Sequence, residues 1–341
     1  MFVDTSDDDS MNGHVTRQGA VRCQDSATDH QRLRGDRRGL LGRRLFTRKR
    51  RQRMPISFAF DGDDVMWTQQ FVSPAVYLDT FAIRAISESD ELSMRFAQGI
   101  RGRNGTWLLA ALSMGEFARF ADPRHVDRAE WLLAQVVPYI YLCLSEPVAA
   151  RAATGETTTA ARPLPPADHR NMDFFSRRWA QAQSFQETFR GMFQIVHENR
   201  DKMVETLDEV ASTLVASLGI YRQREPYRRK AKAARLDDGR TRQQIISGEL
   251  LRELILDTNA PITNNEALDL MHAVDAVDCC DLVLLDKAWE RRAKALHKRI
   301  AETNTDMPIA QCFSMRNGGI EEFLAALERW PVSSPLPTHL A

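Results

Sequence analysis

Two short apolar runs in this chain each end in an aspartate, directly before the spacing of apolar residues changes from strand-like to helical. Residues 76–78 lead into Asp79, and residues 282–285 lead into Asp286. An aspartate at such a junction can cap the helix that follows it. In open α/β sheets, however, the carboxyl ends of the strands are also where ligands bind. The feature therefore predicts an α/β fold with a parallel sheet flanked by helices, and it makes both aspartates candidate ligands.

The rest of the chain divides by composition and periodicity. Residues 1–53 hold 13 Arg or Lys against 7 Asp, with few periodic apolar positions, which predicts a disordered basic tail. Residues 146–170 are rich in Ala, Thr and Pro and predict a flexible linker. Aromatic residues at three- and four-residue steps predict an all-helical insertion over 171–260. We therefore expect one α/β core in two parts, 74–145 and 261–330.

Charge and cysteine content indicate the cellular compartment in which the chain is expected. The chain has 46 basic and 46 acidic residues, and its five cysteines show no CxxC or Cys/His metal spacing, which is typical of a reducing compartment. No signal peptide is evident, and the longest apolar stretch, residues 131–144, is too short to span a bilayer. The sequence predicts a cytoplasmic protein with no membrane partner.

Two more acids belong to the same pattern. Glu116 follows a third apolar run, and Asp269 lies near the start of the helix that precedes the strand ending at Asp286. His272 is one turn further along that helix, on the same face as Asp269. Four carboxylates converging on one sheet edge repel one another at neutral pH unless a cation lies among them. Because carboxylate oxygens are ligands of hard divalent ions, the pattern predicts a metal site.

These motifs resemble the PIN domain family of metal-dependent nucleases. That family has an apolar strand ending in Asp, here VYLDT, a strand leading to a Glu, here LLAALSMGEF, and a helix and strand with further Asp residues, here LDLMHAVDAVDCCDLVLLDK. The resemblance covers residues 74–145 and 262–330. The chain departs from the family at Phe81, where many members have Asn, and in its long helical insertion. The resemblance implies that the metal-binding and catalytic acids are Asp79, Glu116, Asp269 and Asp286.

The same resemblance implies an activity. It implies Mg²⁺ or Mn²⁺ as the cofactor and an endoribonuclease that hydrolyses phosphodiester bonds with a cation-activated water. RNA is expected as the substrate in preference to DNA. Four neighbours of the acids are expected to bind the substrate: Thr80, His272, Lys287 and Arg291. A second copy of the chain or a regulatory protein is a further expected partner.

Alternatives stay open on the sequence alone. Asp275 replaces Asp269 as the third acid if the helical register is shifted, and His272 is equally a buried histidine bonded to a backbone carbonyl. A Mg²⁺-dependent phosphohydrolase of another α/β type also begins with an Asp at a strand end. Its aspartyl-phosphate form expects a second Asp where this chain has Phe81. The fold could also serve as a non-catalytic module that binds nucleic acid or protein.

Overall fold

A computed structural model of the chain describes residues 29–33, 55–62, 64–144, 162–236 and 239–332. The strands of the described residues are β1 Asp29–Leu33, β2 Ile56–Asp61, β3 Asp64–Gln69, β4 Ala75–Leu78, β5 Thr106–Ala110, β6 Ile140–Cys143, β7 Leu282–Leu285 and β8 Gln311–Ser314. The helices of the first half are α1 Thr80–Ser87, α2 Asp90–Arg103, α3 Ala111–Glu116 and α4 Pro123–Val136. The later helices are α5 His169–Trp179, α6 Phe185–Phe189, α7 Met192–Glu198, α8 Arg200–Gln223, α9 Glu225–Ala233, α10 Arg242–Leu256, α11 Asn264–Cys279, α12 Lys287–Glu302 and α13 Gly319–Arg329.

Five parallel strands form the central sheet, in the order β6-β5-β4-β7-β8. Every residue of β4, β5, β6 and β7 is buried, because helices cover both faces of the sheet. The prediction of an α/β fold with a parallel sheet flanked by helices is confirmed. The chain passes from β4 to β5 and β6 on one side, and later to β7 and β8 on the other. The strand order therefore reverses at β4, which places a crevice at the carboxyl ends of the central strands.

Both aspartates of the strand–helix junctions cap helices. Asp79 Oδ1 accepts a hydrogen bond from the backbone N–H of Ala82 at 2.7 Å, at the start of α1. Asp286 Oδ1 does the same for the N–H of Trp289 at 2.8 Å, at the start of α12. Each cap uses one carboxylate oxygen, so the capping role does not exclude a second role for the other oxygen.

A small antiparallel sheet, in the order β1-β3-β2, packs beside the central sheet, and the sequence reading did not predict it. Its hairpin turns after Asp61, which pairs with Asp64, and Gly62 has a φ of 65°. The side chain of Gln69 holds it to β6, since it donates to the carbonyl of Leu142 at 3.1 Å and accepts from the Leu142 N–H at 2.6 Å. A Gly-Asp pair between two β-type runs is a hairpin signal and could have predicted this element.

The strand β1 lies within the stretch 1–53 that the sequence predicts to be disordered. It pairs with the outer edge of β3, where unpaired backbone N–H and C=O groups can hold a segment of almost any composition. Composition therefore gave no sign of it. The rest of that basic stretch lies outside the described residues, as do residues 146–161 of the predicted linker.

Between β6 and β7 the described residues form the helices α5 to α11, joined by loops, with one isolated bridge between Cys143 and Ala167. Aromatic residues of these helices pack against the hairpin: Trp179 stacks on Phe58 with ring centroids 5.5 Å apart, and Phe189 is buried below them. Helix α8 packs instead on α3 and α11, through a small cluster of Leu112, Leu207 and Leu268. The basic helix α9 buries none of its residues. Within the described residues no helix is long and apolar enough to cross a membrane.

Candidate functional site

The four predicted acids all lie at the carboxyl edge of the central sheet. Asp79 follows β4, Glu116 ends the helix after β5, and Asp286 follows β7. Asp269 lies in the first half of α11, which packs on both β4 and β7. Their charges act on one another, because Asp269 and Glu116 raise the pKa of Asp79, and Glu116 and Asp286 raise the pKa of Asp269.

Asp79 and Asp269 are the most perturbed members of the group. Burial raises the pKa of Asp79 to about 7, with a contribution from the neighbouring carboxylates. Burial likewise raises the pKa of Asp269 to about 7. His272 opposes both shifts, since its positive charge favours the ionised acids. Two carboxyl groups that are half-protonated at neutral pH are ready to exchange their protons for another cation.

Glu116 behaves differently because it has partners. Its Oε2 accepts a hydrogen bond from the Thr80 hydroxyl and lies 3.3 Å from His272 Nε2. Burial alone favours the neutral acid, but the charge and hydrogen bond of His272, the Thr80 hydroxyl and the charge of Arg119 together lower the pKa of Glu116. Glu116 is therefore the member of the group that stays ionised.

His272 is buried, with 3 % of its surface exposed, and it faces the acids rather than a backbone carbonyl. Burial disfavours the charged imidazole, yet the charges of Glu116, Asp269 and Asp79 raise the pKa of His272 overall. Thr80 is also buried and bonded to Glu116. Thr80 and His272, two of the four residues predicted to bind substrate, thus contact Glu116 instead. Because both are buried, little of their surface is accessible to a substrate.

Two further polar side chains join this group, and the sequence reading missed both. The Tyr77 hydroxyl, inside β4, contacts His272 Nδ1 and lies 2.9 Å from Ser113 Oγ. Ser113 Oγ is 3.4 Å from the same ring nitrogen. Burial raises the pKa of the Tyr77 hydroxyl, so it stays protonated. The position of Tyr77 and Ser113 within otherwise apolar runs could have predicted that they belong to a buried polar group, since buried hydroxyls need hydrogen-bond partners.

The other aspartates near the end of α11 do not belong to the group. Asp278 is buried in an ion pair with Arg242 at 2.6 Å. Asp281 lies before β7, at the opposite edge of the sheet, where it pairs with Arg162 and accepts from the Ser73 hydroxyl at 2.7 Å. Asp275 is buried further along α11, whereas Asp269 is one of the main charges that raise the pKa of Asp79. The structure therefore favours Asp269 as the third acid.

Basic side chains line a depression beside Asp286. Its wall includes Lys287 and Arg291, which the sequence predicts to bind substrate, together with Met315 and Arg316. Arg316 was not predicted, although it comes two residues after the end of β8, at the same edge where Asp286 follows β7. These cations lie beside Asp286, and Arg291 also pairs with Glu253.

The acids do not form a ready-made coordination shell. Among the residues that the structure describes, no group of three His, Cys, Asp or Glu side chains is close enough to hold a metal ion. Comparisons of the chain with protein-family models, with curated proteins and with solved structures found no match. The functional argument therefore depends on the chemistry of the site itself.

Proposed function

We propose that the chain is a nuclease that depends on Mg²⁺ or Mn²⁺ and cleaves RNA. One observation carries the proposal: Asp79 and Asp269 are half-buried at the edge of the sheet where the strand order reverses, and each has its pKa raised to about 7. Half-buried carboxyl groups with raised pKa values are costly for a merely structural edge. The resemblance of the acidic motifs to PIN domain nucleases supports the same conclusion.

The donor set fits a hard divalent cation. All four acids offer oxygen, and Mg²⁺ needs only one or two protein carboxylates because it keeps several waters and takes others from substrate phosphates. A tight three-ligand shell is therefore not required before substrate binds. When bound, such a cation supplies positive charge for the scissile phosphate and lowers the pKa of the attacking water.

The residues of the chain then have distinct tasks. Asp79 and Asp269 would hold the cation, each giving up the proton that its raised pKa retains in the free protein. Glu116, kept ionised and oriented by Thr80 and His272, would accept a hydrogen bond from the attacking water or serve as a further ligand of the cation. Lys287, with Arg316 across the depression, orients the phosphate beside Asp286.

A cleavage assay tests the proposal. Purified protein is incubated with single-stranded RNA and, separately, with DNA of the same sequence, in Mn²⁺, in Mg²⁺ and in EDTA. We expect RNA cleavage in either metal, none in EDTA and none from the variants Asp79→Asn and Asp269→Asn. Asp306→Asn is a matched control, because Asp306 is exposed in the loop between α12 and β8. Cleavage that survives EDTA or both site variants would refute the proposal.

A further inference from the structure

A second concave site lies between the helical insertion and the core. A cavity of about 770 Å³ is bounded by the carboxyl end of α10, the start of α11 and one side of α12. Arg291 lines both this cavity and the depression beside Asp286, so the two sites adjoin. Arginines are prominent in its wall: Arg222, Arg252, Arg291, Arg292 and Arg299.

Arg292 is the least satisfied of these arginines. Only 7 % of it is exposed, and its guanidinium lies over the Trp289 ring, 4.3 Å from the ring centre. Its Nε and Nη1 have no hydrogen-bond partner among the described residues. Its Nη2 donates to Glu266 Oε1 at 3.5 Å, whereas Glu253 Oε2 lies 3.5 Å from Nε without hydrogen-bond geometry. Two N–H groups of this buried guanidinium are therefore left to donate to an anion.

Glu253 stands at the mouth of the cavity between two arginines. Its Oε2 is 2.7 Å from Arg291 Nη2 and 3.5 Å from Arg292 Nε. The Glu253 side chain is 44 % exposed, so this contact is in solvent and is weakly held. Glu249, by contrast, is buried against Arg299, and its carboxylate is not available for exchange. Glu253 is therefore the removable anion of the site.

We propose that Arg291 and Arg292 form a phosphate-binding site and that Glu253 occupies it in the free protein. The identity of the ligand as a nucleic-acid backbone rests on the proposed nuclease function. A phosphodiester offers two anionic oxygens, which two guanidinium groups bind with a geometry that a single carboxylate oxygen does not match. When a phosphate replaces the Glu253 carboxylate, the buried positive charge of Arg292 still has an anion beside it.

The position of the site suits a neighbouring phosphate of the same strand. Arg292 is six residues beyond Asp286, which is about 9 Å along the axis of α12. Arg291 lies between the two depressions and contacts the first as well as the second. A strand with its scissile phosphate beside Asp286 can therefore place an adjacent phosphate at Arg291 and Arg292. Because α10 supplies Glu253, the helical insertion takes part in binding the substrate.

Two opposite substitutions test the site. In EDTA, where cleavage does not complicate binding, the affinity of full-length protein for a labelled single-stranded RNA is measured against salt concentration. Glu253→Gln removes the competing anion and should tighten binding roughly fivefold. Arg291→Ala should weaken it by a similar factor and lower the salt slope by about 0.7, the value of one single-strand phosphate contact. Arg291 is exposed, so this variant is expected to fold.

The matched controls come from the same helix. Lys298 and Glu302 form an exposed ion pair on α12 that does not line the cavity, and Lys298→Ala and Glu302→Gln make the same changes in net charge. They should leave the affinity for RNA nearly unchanged. If Glu253→Gln and Arg291→Ala bind RNA no differently from these controls, binding of RNA at this site is refuted, whether or not the protein cleaves RNA.

Inorganic phosphate identifies the source of the anion. The unfolding temperature is compared in phosphate and in chloride at equal ionic strength, for the wild type and for Arg291→Ala. A result in which phosphate stabilises the wild type but not Arg291→Ala, while the substitution leaves the RNA affinity unchanged, would support the anion site and assign it to free phosphate. If Glu253→Gln tightens RNA binding and Arg291→Ala weakens it, but the protein does not cleave RNA, the phosphate-binding site is supported and the proposed nuclease function is refuted.

Discussion

His272 Nε2 lies 3.3 Å from Glu116 Oε2, inside the sheet edge and out of reach of solvent. The contact joins α11, from the second part of the core, to α3, from the first part. On its other side the imidazole contacts the Tyr77 hydroxyl in β4. One buried histidine therefore links three elements that each carry or adjoin a candidate metal ligand, and its charge keeps Glu116 ionised.

His272→Gln should weaken Mn²⁺ binding about ten- to a hundredfold, the usual cost of removing a partner that orients a metal ligand. Glutamine retains hydrogen-bonding groups but loses the positive charge, so burial would then raise the pKa of Glu116. Calorimetric titration with Mn²⁺ measures the affinity directly. His125→Gln is the control, since His125 pairs with Glu88 at the surface at 2.7 Å. Equal Mn²⁺ affinity in the two variants would exclude the positioning role.

Two substitutions of Asp79 separate its two roles. Asparagine is about as good a helix cap as aspartate, so Asp79→Asn should keep the bond to the Ala82 N–H and lose only the charge. Asp79→Ala loses the cap as well and should cost about 1 kcal/mol of stability relative to Asp79→Asn. Both should abolish Mn²⁺-dependent cleavage. Denaturant unfolding and the cleavage assay give the two readouts, and an active Asp79→Asn protein would leave the cap as the sole role of Asp79.

The raised pKa values predict how stability depends on pH. The folded protein keeps protons on Asp79 and Asp269 up to about pH 7, whereas the unfolded chain loses them near the ordinary value of 3.8. Stability from these groups is therefore present at low pH and falls by several kcal/mol for the pair as pH rises from about 4 to about 7. The pKa of Glu116 is lowered, so its ionised form stabilises the folded protein, and this contribution is lost as the pH falls through that lowered pKa.

Comparison with a variant isolates the effect. Asp79→Asn cannot ionise, so its unfolding free energy relative to the wild type should increase from pH 4 to pH 7 in the absence of divalent cations. Urea unfolding at several pH values measures the difference between the two proteins. A difference that stays constant over this range would show that Asp79 is already ionised in the free protein.

The contact between the hairpin and the insertion should be part of one cooperative unit. Phe189 is 1 % exposed and lies against Phe58 and Phe175, so Phe189→Ala should cost about 3–5 kcal/mol. Phe60 belongs to the same hairpin but is 60 % exposed, and Phe60→Ala should cost far less. Thermal unfolding should show one transition in each protein. A separate early transition in Phe189→Ala would mean that the insertion unfolds independently of the core.

The acids could be predicted because their signal is local. An apolar run that ends in Asp and turns into helical spacing specifies both a strand and the edge of the sheet where the acid lies, as at Asp79 and Asp286. The supporting side chains carry no such signal. Nothing in the local sequence says that Tyr77 faces α11 rather than the opposite layer, because a fully buried parallel strand is apolar on both faces.

Other features depended on distant contacts. The strand β6 was not distinguished within the apolar stretch 131–144, since a short buried strand after a buried helix shows no change in hydrophobicity. The exchangeable contact of Glu253 with Arg291 and Arg292 joins residues of two helices that are far apart in sequence, and charged residues on helices most often face solvent. Only the packing of α10 against α12 reveals it.

The central place of β4 has a consequence for synthesis. Its second neighbour, β7, is separated from it in the chain by the whole helical insertion, so a nascent β4 leaves the ribosome with one side of its backbone unpaired. Until β7 follows, that apolar strand can pair with other chains, and a holdase chaperone would find its binding site there. Asp269 and Asp286 also emerge late. A protein that cleaves RNA as proposed would therefore be inert until both of these acids have emerged and β7 has paired with β4.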